Sequence, residues 1–348
     1  MEINYFIYLS QPKTNLFTMI KNDKIETSFT KMMGIDHPII MAPMFLVSNT
    51  KMIIEALNSG ITAAFPALNY RTDEAFREAI AEIKSTTDKP FGINLIVNKS
   101  NVKYKSQLDT CIEMEVDFII TSLGSPEETI KRCKGHGIKV FCDVVDLKYA
   151  KKVELLGADA LIAVTSEAGG HSGNMKPEEL IPMLRKECNI PVIGAGGVVR
   201  GVDLKKMLDL GADAVSVGTV FIASEECGVS DEYKQALIDY RGKDVVLSEN
   251  LSGTPLTVIN TPYVQKVGTK SSGLTKMMLK NKKIKKWVKM FVAVKGMKAI
   301  EKAAFSATYK TFWVAGPGIE HIHSIRPVKQ IVEDIVEGYW KSLKGEMG

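Results

Sequence analysis

The sequence predicts a single (β/α)8 TIM barrel with an added helical segment near its C-terminus. Three observations predict it. Eight short apolar runs alternate with segments of helical period. Glycines mark the returns from helix to strand, and paired glycine turns follow the last two strands. The chain has 348 residues, which suffices for one large core with additions.

Taken in order, residues 1–28 read as an N-terminal extension, either packed outside the barrel or disordered. The barrel is expected over 29–230 and 311–348, the latter a closing segment, with 231–310 a mostly helical insertion or lid. The strand runs are Ile39–Ala42, Ile61–Phe65, Phe91–Leu95, Phe118–Ile120, Lys139–Asp143, Ala160–Val164, Val192–Gly194 and Ala214–Val217. Helical segments lie between them at Thr50–Ser59, Asp73–Ser85, Tyr104–Glu115, Pro126–Gly135, Leu147–Leu156, Pro177–Glu187 and Gly201–Leu210. Gly60-Ile61, Gly137-Ile138, Gly157-Ala158-Asp159 and Gly211-Ala212-Asp213 each end a helix and start a strand, because glycine tolerates the left-handed turn there. Lys89-Pro90 and Ile190-Pro191 also precede strands, where proline cannot continue a helix. An open doubly wound sheet is the alternative; eight strands with helices between them fit a closed barrel better.

Composition narrows the class. At 45% hydrophobic and 24% charged the chain resembles an ordinary globular protein, and no apolar run approaches the roughly 18 residues of a spanning helix. Met1–Ser10 lacks a basic leading region and a cleavage site, so no secretory signal is expected. Five scattered cysteines without a CxxC pair point to reduced thiols and a cytoplasmic location. The net charge of +5 is unevenly placed: Val264–Lys298 holds eleven lysines and no acid, leaving 5 − 11 = −6 for the rest. Within it, Leu274–Val294 has apolar residues at helical spacing with lysines opposite. It reads as a solvated helix packed on the barrel, a contact for a phosphate-bearing or acidic carrier-linked substrate, or a membrane-surface contact. Its Trp287 and Phe291 fit the apolar face, so no stacking surface for nucleic acid is expected.

The chemistry gathers at strand ends. Gly194-Ala195-Gly196-Gly197 follows the seventh strand and Gly218-Thr219 the eighth. In such barrels those two loops form the usual phosphate site, where glycine lets backbone N–H groups approach a dianion and a threonine hydroxyl adds a donor. Glu167-Ala168-Gly169-Gly170-His171-Ser172-Gly173 follows the sixth strand. A histidine between glycines can meet a planar ligand and titrate near neutrality; the alternative is a loop-closing hydrogen bond. Ala42-Pro43-Met44 closes the first strand and Asn94 the third, where a buried amide must find partners. His37, His136, His321 and His323 read as structural or surface residues.

These residues, with Gly34-Ile-Asp-His-Pro-Ile-Ile-Met-Ala-Pro-Met44, Pro90-Phe-Gly-Ile-Asn94, Gly218-Thr-Val-Phe221 and Ala315-Gly-Pro-Gly-Ile319, resemble in order the nitronate monooxygenase family, formerly called 2-nitropropane dioxygenases. The resemblance covers roughly residues 29–340. It implies an FMN-dependent oxidoreductase without a metal, turning an alkyl nitronate and oxygen into a carbonyl compound and nitrite. It implies Ala42, Pro43 and Met44 beside the flavin, Asn94 on its ring or ribityl chain, and Gly169 and Gly170 near it. Gly196, Gly197, Gly218 and Thr219 would hold the phosphate. His171 would face the substrate as base or electrostatic partner. The chain departs from the family at Val164 and Ser216, where glutamines that touch FMN commonly stand.

The same motifs fit an NAD(P)H-dependent flavin reductase of quinones or enoyl-thioesters, of the enoyl-acyl-carrier-protein reductase type. From a different class, they fit a non-catalytic flavin-binding partner. An inosine-monophosphate dehydrogenase type would need a cysteine after the sixth strand, where this chain has His171. The expected partners are a small-molecule substrate, an anionic or carrier-linked one at the lysine-rich segment, and a second copy in a homodimer.

Overall fold

The computed structural model describes residues 24–98, 101–249, 255–269 and 312–346. In chain order the elements are α1 (Ser28–Met33), β1 (Ile39–Met41), α2 (Thr50–Asn58), β2 (Thr62–Pro66), α3 (Asp73–Thr86), β3 (Phe91–Ile96), α4 (Tyr104–Glu113), β4 (Phe118–Ser122), α5 (Glu127–Cys133), β5 (Lys139–Val144), α6 (Leu147–Leu156) and β6 (Ala160–Val164). There follow β7 (Gly170–His171), α7 (Pro177–Glu187), β8 (Val192–Ala195), α8 (Gly201–Asp209), β9 (Ala214–Val217), α9 (Thr219–Ile222), α10 (Asp231–Asp239), β10 (Val245–Ser248), β11 (Leu256–Ile259), α11 (Pro262–Val267) and α12 (Val328–Leu343).

Strands β1–β6, β8 and β9 close in that order into a parallel barrel, with β9 pairing back on β1 through Ile40↔Ser216. All eight strand runs read from the sequence become barrel strands. Side chains alternate along each strand. Ile39, Met41, Ala63, Phe65, Phe91, Ile93 and Leu95 point outward to the helices, while Ile40, Ala64, Phe118, Ile120, Phe141 and Ile162 point inward.

The interior is graded. Its lower layers are aromatic: Phe118 and Phe141 stack with centroids 4.8 Å apart, and Phe29 of α1 meets Phe141 edge-on at 5.7 Å. Gly92 makes room for this layer, because a Cβ there would sit 2.2 Å from the Phe118 ring. Helix α1 plugs the N-terminal end of the barrel. Thr27 caps it with a capping box, and Ser28 Oγ donates to Asp213 Oδ1 at 2.6 Å. The boundary of the N-terminal extension shifts accordingly, since Ile25 is already buried.

The sequence shows seven helices between eight strands. The eighth comes late. After α9 the chain leaves the barrel and returns as α12, which packs between α8 and α2 through Val328, Ile331, Val332, Ile335 and Val336. The crossing with α8 is close: a Cβ on Gly201 would lie 1.9 Å from the Tyr339 backbone nitrogen.

Of the range expected to be mostly helical, 231–310, the described residues hold both helix and strand. Among the described residues of that range α10 and α11 are helical, but β10 and β11 pair antiparallel and join β7 in a three-stranded sheet. Their runs Val245-Val246-Leu247 and Leu256-Thr257-Val258-Ile259 are rich in β-branched residues, which favour a pleated, half-buried surface. The amphipathic stretch Leu274–Val294, most of the lysine-rich segment and residues 1–23 lie outside the described residues. All five cysteines are free and buried. Among the described residues no helix is long and apolar enough to cross a membrane.

Candidate active site

The strand ends bring the sequence-marked residues to one face of the barrel in three groups. In the first, Gly196 and Gly197 adopt positive φ of 113° and 80° after β8. Their missing side chains let the loop after β6 close over them: a Cβ on Gly196 would lie 2.4 Å from the Ala168 nitrogen, and one on Gly197 2.2 Å from Glu167 Oε2. Thr165 fastens that loop, its hydroxyl donating to Ala195 O at 2.9 Å. Across from it, Gly169 packs on the start of α9 and on the closing loop. A Cβ there would lie 2.8 Å from Thr219 Oγ1 and 2.9 Å from the Gly316 nitrogen. Gly316 N–H donates to Thr219 Oγ1 at 3.1 Å, which leaves the threonine's own proton to give to another group. Gly218, Ala42 and Met44 complete this group: a Cβ on Gly218 would be 3.5 Å from Met44 Sδ and 3.6 Å from Ala42 Cβ. The turn at Pro43 is held by Met44 N–H donating to Ser48 Oγ at 2.9 Å and by Leu46 N–H donating to Asn69 Oδ1 at 2.8 Å. Leu46 stands at a positive φ of 59°, a conformation that non-glycine residues seldom adopt.

The second group is His171. It lies not in a free loop but in β7, where Gly170 and His171 pair with Thr257 and Leu256 of β11. The Thr257 hydroxyl reaches Ala168 O at 2.9 Å and Gly170 O at 3.2 Å, clamping the glycines before the histidine. Gly170 itself needs a positive φ of 81°. His171 keeps an exposed face, yet enough protein surrounds the imidazole for desolvation to hold its pKa below the ordinary histidine value. At neutral pH it is therefore an uncharged imidazole.

The third group was not foreseen beyond Asn94. The buried Asn94 amide donates through Nδ2 to Ile120 O at 3.1 Å and to Ser122 Oγ at 2.8 Å. Ser122 in turn donates to Asp143 Oδ2 at 2.5 Å. Because Ile120 offers only a carbonyl oxygen, the amide nitrogen must face it, and the order of donors along this chain is fixed. Among the described residues Asn94 Oδ1 then accepts no hydrogen bond and is available to a ligand. Burial pushes the Asp143 carboxyl up to about 6, against the opposing hydrogen bond from Ser122. The signal was legible: Asn94, Ser122 and Asp143 all occupy inward positions at C-terminal strand ends, but the run ending at Ile120 stopped short of Ser122. Thr257 gave no comparable signal, because its partners lie 87 and 89 residues away.

His321 ends the short turn Pro317–His321 that follows Gly316, and the other three histidines lie apart from these groups. His37 stands before β1 at the plugged end, its Nδ1 buried and without a partner among the described residues, and His136 and His323 are exposed on the surface. Val164 lines the interior beside the apolar cluster, and Ser216 is buried in β9.

This arrangement can be compared with known proteins. The chain matches the family described as Nitronate monooxygenase over residues 26–338. It is 31% identical over 240 residues to a (3aS,4S,5R,7aS)-5-hydroxy-7a-methyl-1-oxo-octahydro-1H-indene-4-carboxyl-CoA dehydrogenase of Rhodococcus jostii, covering 69% of this chain and 67% of that one. It is 28% identical over 273 residues to a nitronate monooxygenase of Paraburkholderia phytofirmans, covering 64% of this chain and 73% of that one. Among solved structures, FabK from Thermotoga maritima superposes with a TM-score of 0.81 at 29% identity, covering 93% of this chain and all of that chain. With nearly the whole barrel, the His171 loop and the closing loop inside the matched range, the chain belongs to the nitronate monooxygenase family and is an oxidoreductase enzyme.

Proposed function

We propose that this chain binds FMN at the barrel mouth and oxidises alkyl nitronates to carbonyl compounds and nitrite. The observation that carries the reading is the convergence of Gly169, Gly196, Gly197, Thr219 and Gly316 in one cradle, with Gly218, Ala42 and Met44 against its edge. A threonine proton and backbone N–H groups released by the glycine turns suit a phosphate. Asn94 Oδ1 suits a ring N–H, and Pro43, Met44 and Gly170 would flank the ring. Bound flavin would supply the electron-accepting centre; the protein supplies position and electrostatics.

His171 does the chain's own share at the substrate. As a neutral imidazole it can take a proton from the carbon of a neutral nitroalkane. An incoming nitronate anion raises its proton affinity, so that the protonated ring steadies the anion. Thr257 and β11 keep the ring aimed while this happens.

A second reading has its own support. The Rhodococcus relative is named for an acyl-CoA substrate. In this chain the lysine-rich segment opens directly after β11, the strand paired with His171, with Lys266 in α11. Clustered ammonium groups would concentrate a phosphate-bearing or carrier-linked substrate there, with NAD(P)H as reductant or product. The visible spectrum of the purified protein, followed by anaerobic titration, separates the readings. Bleaching by a nitronate alone supports the first, and fast bleaching by NADH or NADPH supports the second. A His171→Ala protein that turns over every tested substrate as fast as wild type would refute the role given to His171.

A further inference from the structure

Asp143 is the one group of the third cluster to which no role has been given. It stands at the C-terminal end of β5, on the inward face, where the register of β5 with β6 sets it opposite Ile162. Its neighbours there, Ile162 and Val164, are apolar. Its single hydrogen bond comes from Ser122, and among the described residues no cationic side chain pairs with it. The elements packed around it offer little else that titrates. Cys142 on the same strand and Tyr149 of α6 are both held protonated by burial, and no charge of α5 acts on it. From β4 it meets the neutral Ser122, which in turn accepts from the neutral Asn94 of β3. Among the described residues, His171 and Glu167 of the loop after β6 are the other titratable groups at this mouth. A carboxyl so placed has no counter-ion to answer negative charge arriving beside it.

On the reading that Asn94 holds the ring of FMN, we propose that Asp143 is the redox-linked proton acceptor of this site. When the ring takes an electron pair and one proton, it gains one net negative charge. The electrons come from the oxidised substrate, or from dithionite in a test. Asp143 then takes one further proton from water, so two electrons and two protons enter together and the mouth gains no net charge. The proton settles on Oδ1, because Oδ2 already accepts from Ser122, and the Ser122–Asn94 chain is undisturbed. Asp143 is thus a positioning and charge-balancing residue. The poise of its carboxyl near neutrality lets this occur at ordinary pH.

The test is a potentiometric titration of the FMN-loaded protein from about pH 5 to about pH 8.5, a range spanning the ordinary and raised carboxyl values. Wild type should take up one more proton per electron pair than Asp143→Asn over part of that range. Asp143→Asn should also have the higher potential at the alkaline end. Asp143→Glu should restore the extra proton. Ser122→Ala should keep it but move it to higher pH, since the lost hydrogen bond favoured the ionised form. His171 and Glu167 are common to all these proteins and drop out of the comparison. Independently of any variant, reduced-minus-oxidised infrared spectra of wild type should show a protonated-carboxyl band. Equal pH slopes in wild type and Asp143→Asn, or no such band in wild type, overturn the proposal. A wild-type protein that binds no FMN overturns instead the flavin reading on which it rests.

Discussion

Replacing Gly196 by alanine tests the cradle at its tightest point. The residue has a φ of 113°, where an L side chain is strained by about 1–3 kcal/mol. The added Cβ would lie 2.4 Å from the Ala168 nitrogen, 2.6 Å from the Glu167 carbonyl carbon and 2.7 Å from Thr165 Oγ1. Carbon contacts settle near 3.5–4.0 Å, so the loop over the turn must retreat by roughly 1 Å. That retreat strains the Thr165–Ala195 bond of 2.9 Å and the Ala168–Thr165 bond of 3.3 Å, each worth about 1 kcal/mol. The sum is on the order of 2–5 kcal/mol, a large part of a typical domain stability of about 5–15 kcal/mol. Urea unfolding at equilibrium measures it. Because the same loop carries Gly169 and leads to His171, FMN affinity read by fluorescence quenching should fall at least about tenfold, equivalent to about 1.4 kcal/mol. Gly135→Ala is the control, since a Cβ there meets nothing within 4 Å. If Gly196→Ala matched that control in stability and kept wild-type FMN affinity, the cradle would be only a tight turn.

Three further outcomes are expected. Thr257→Val keeps the shape of β11 but removes the hydroxyl shared by Ala168 O and Gly170 O. It should lower stability by about 1–2 kcal/mol and slow turnover several-fold; turnover equal to wild type would show that β11 does not aim His171. Phe29→Ala empties the barrel floor and should lower stability by about 3–5 kcal/mol in thermal or urea unfolding, with FMN affinity of the folded protein unchanged. A larger effect on binding than on stability would mean that floor and mouth are coupled. Asp143 gives a pH signature with a definite sign. Its folded-state value of about 6 lies above the ordinary carboxyl value, so the native state holds the extra proton between them. Stability should therefore decline as pH rises from about 4 to about 6, by roughly 3 kcal/mol at most. Asp143→Asn should flatten that decline in the apoprotein; an unchanged profile would mean that the carboxyl is not raised.

Much of the fold was legible because its signals are local. Ala160–Val164 is apolar throughout and Ala214–Val217 apolar but for Ser216, and both follow glycine turns, so burial and chain punctuation agree. The glycine turns of the cradle were legible for the same reason. What escaped depends on distant pairing. Helix α12 carries a plain apolar stripe at Val328, Ile331, Val332, Ile335 and Val336, but its place as the eighth barrel helix follows only from the return of the chain between α8 and α2. The strands β10 and β11 lie in a range dominated by a lysine-rich helical pattern, and β7 is two residues long. The sequence marks Asn94 as a residue in need of partners; that they are the Ile120 carbonyl and Ser122, with Asp143 beyond, follows from the barrel's register.

The pairing of β7 with β11 also orders events along the chain. By Val217 all eight barrel strands have been made, yet the last barrel helix begins only at Val328. His171 waits as well: its strand partner is Leu256, and β11 is in turn bridged at Val258 to Val314, whose carbonyl accepts from the Tyr233 hydroxyl at 2.6 Å. Contacts of such long sequence separation form after local ones. A nascent or truncated chain can therefore build the cradle's glycine turns before the histidine has anything to hold it. The cradle is finished no earlier, because Gly316 follows Val314; cofactor capture and catalytic competence are completed by the same late stretch of chain, and a chain ending before Leu256 would have neither.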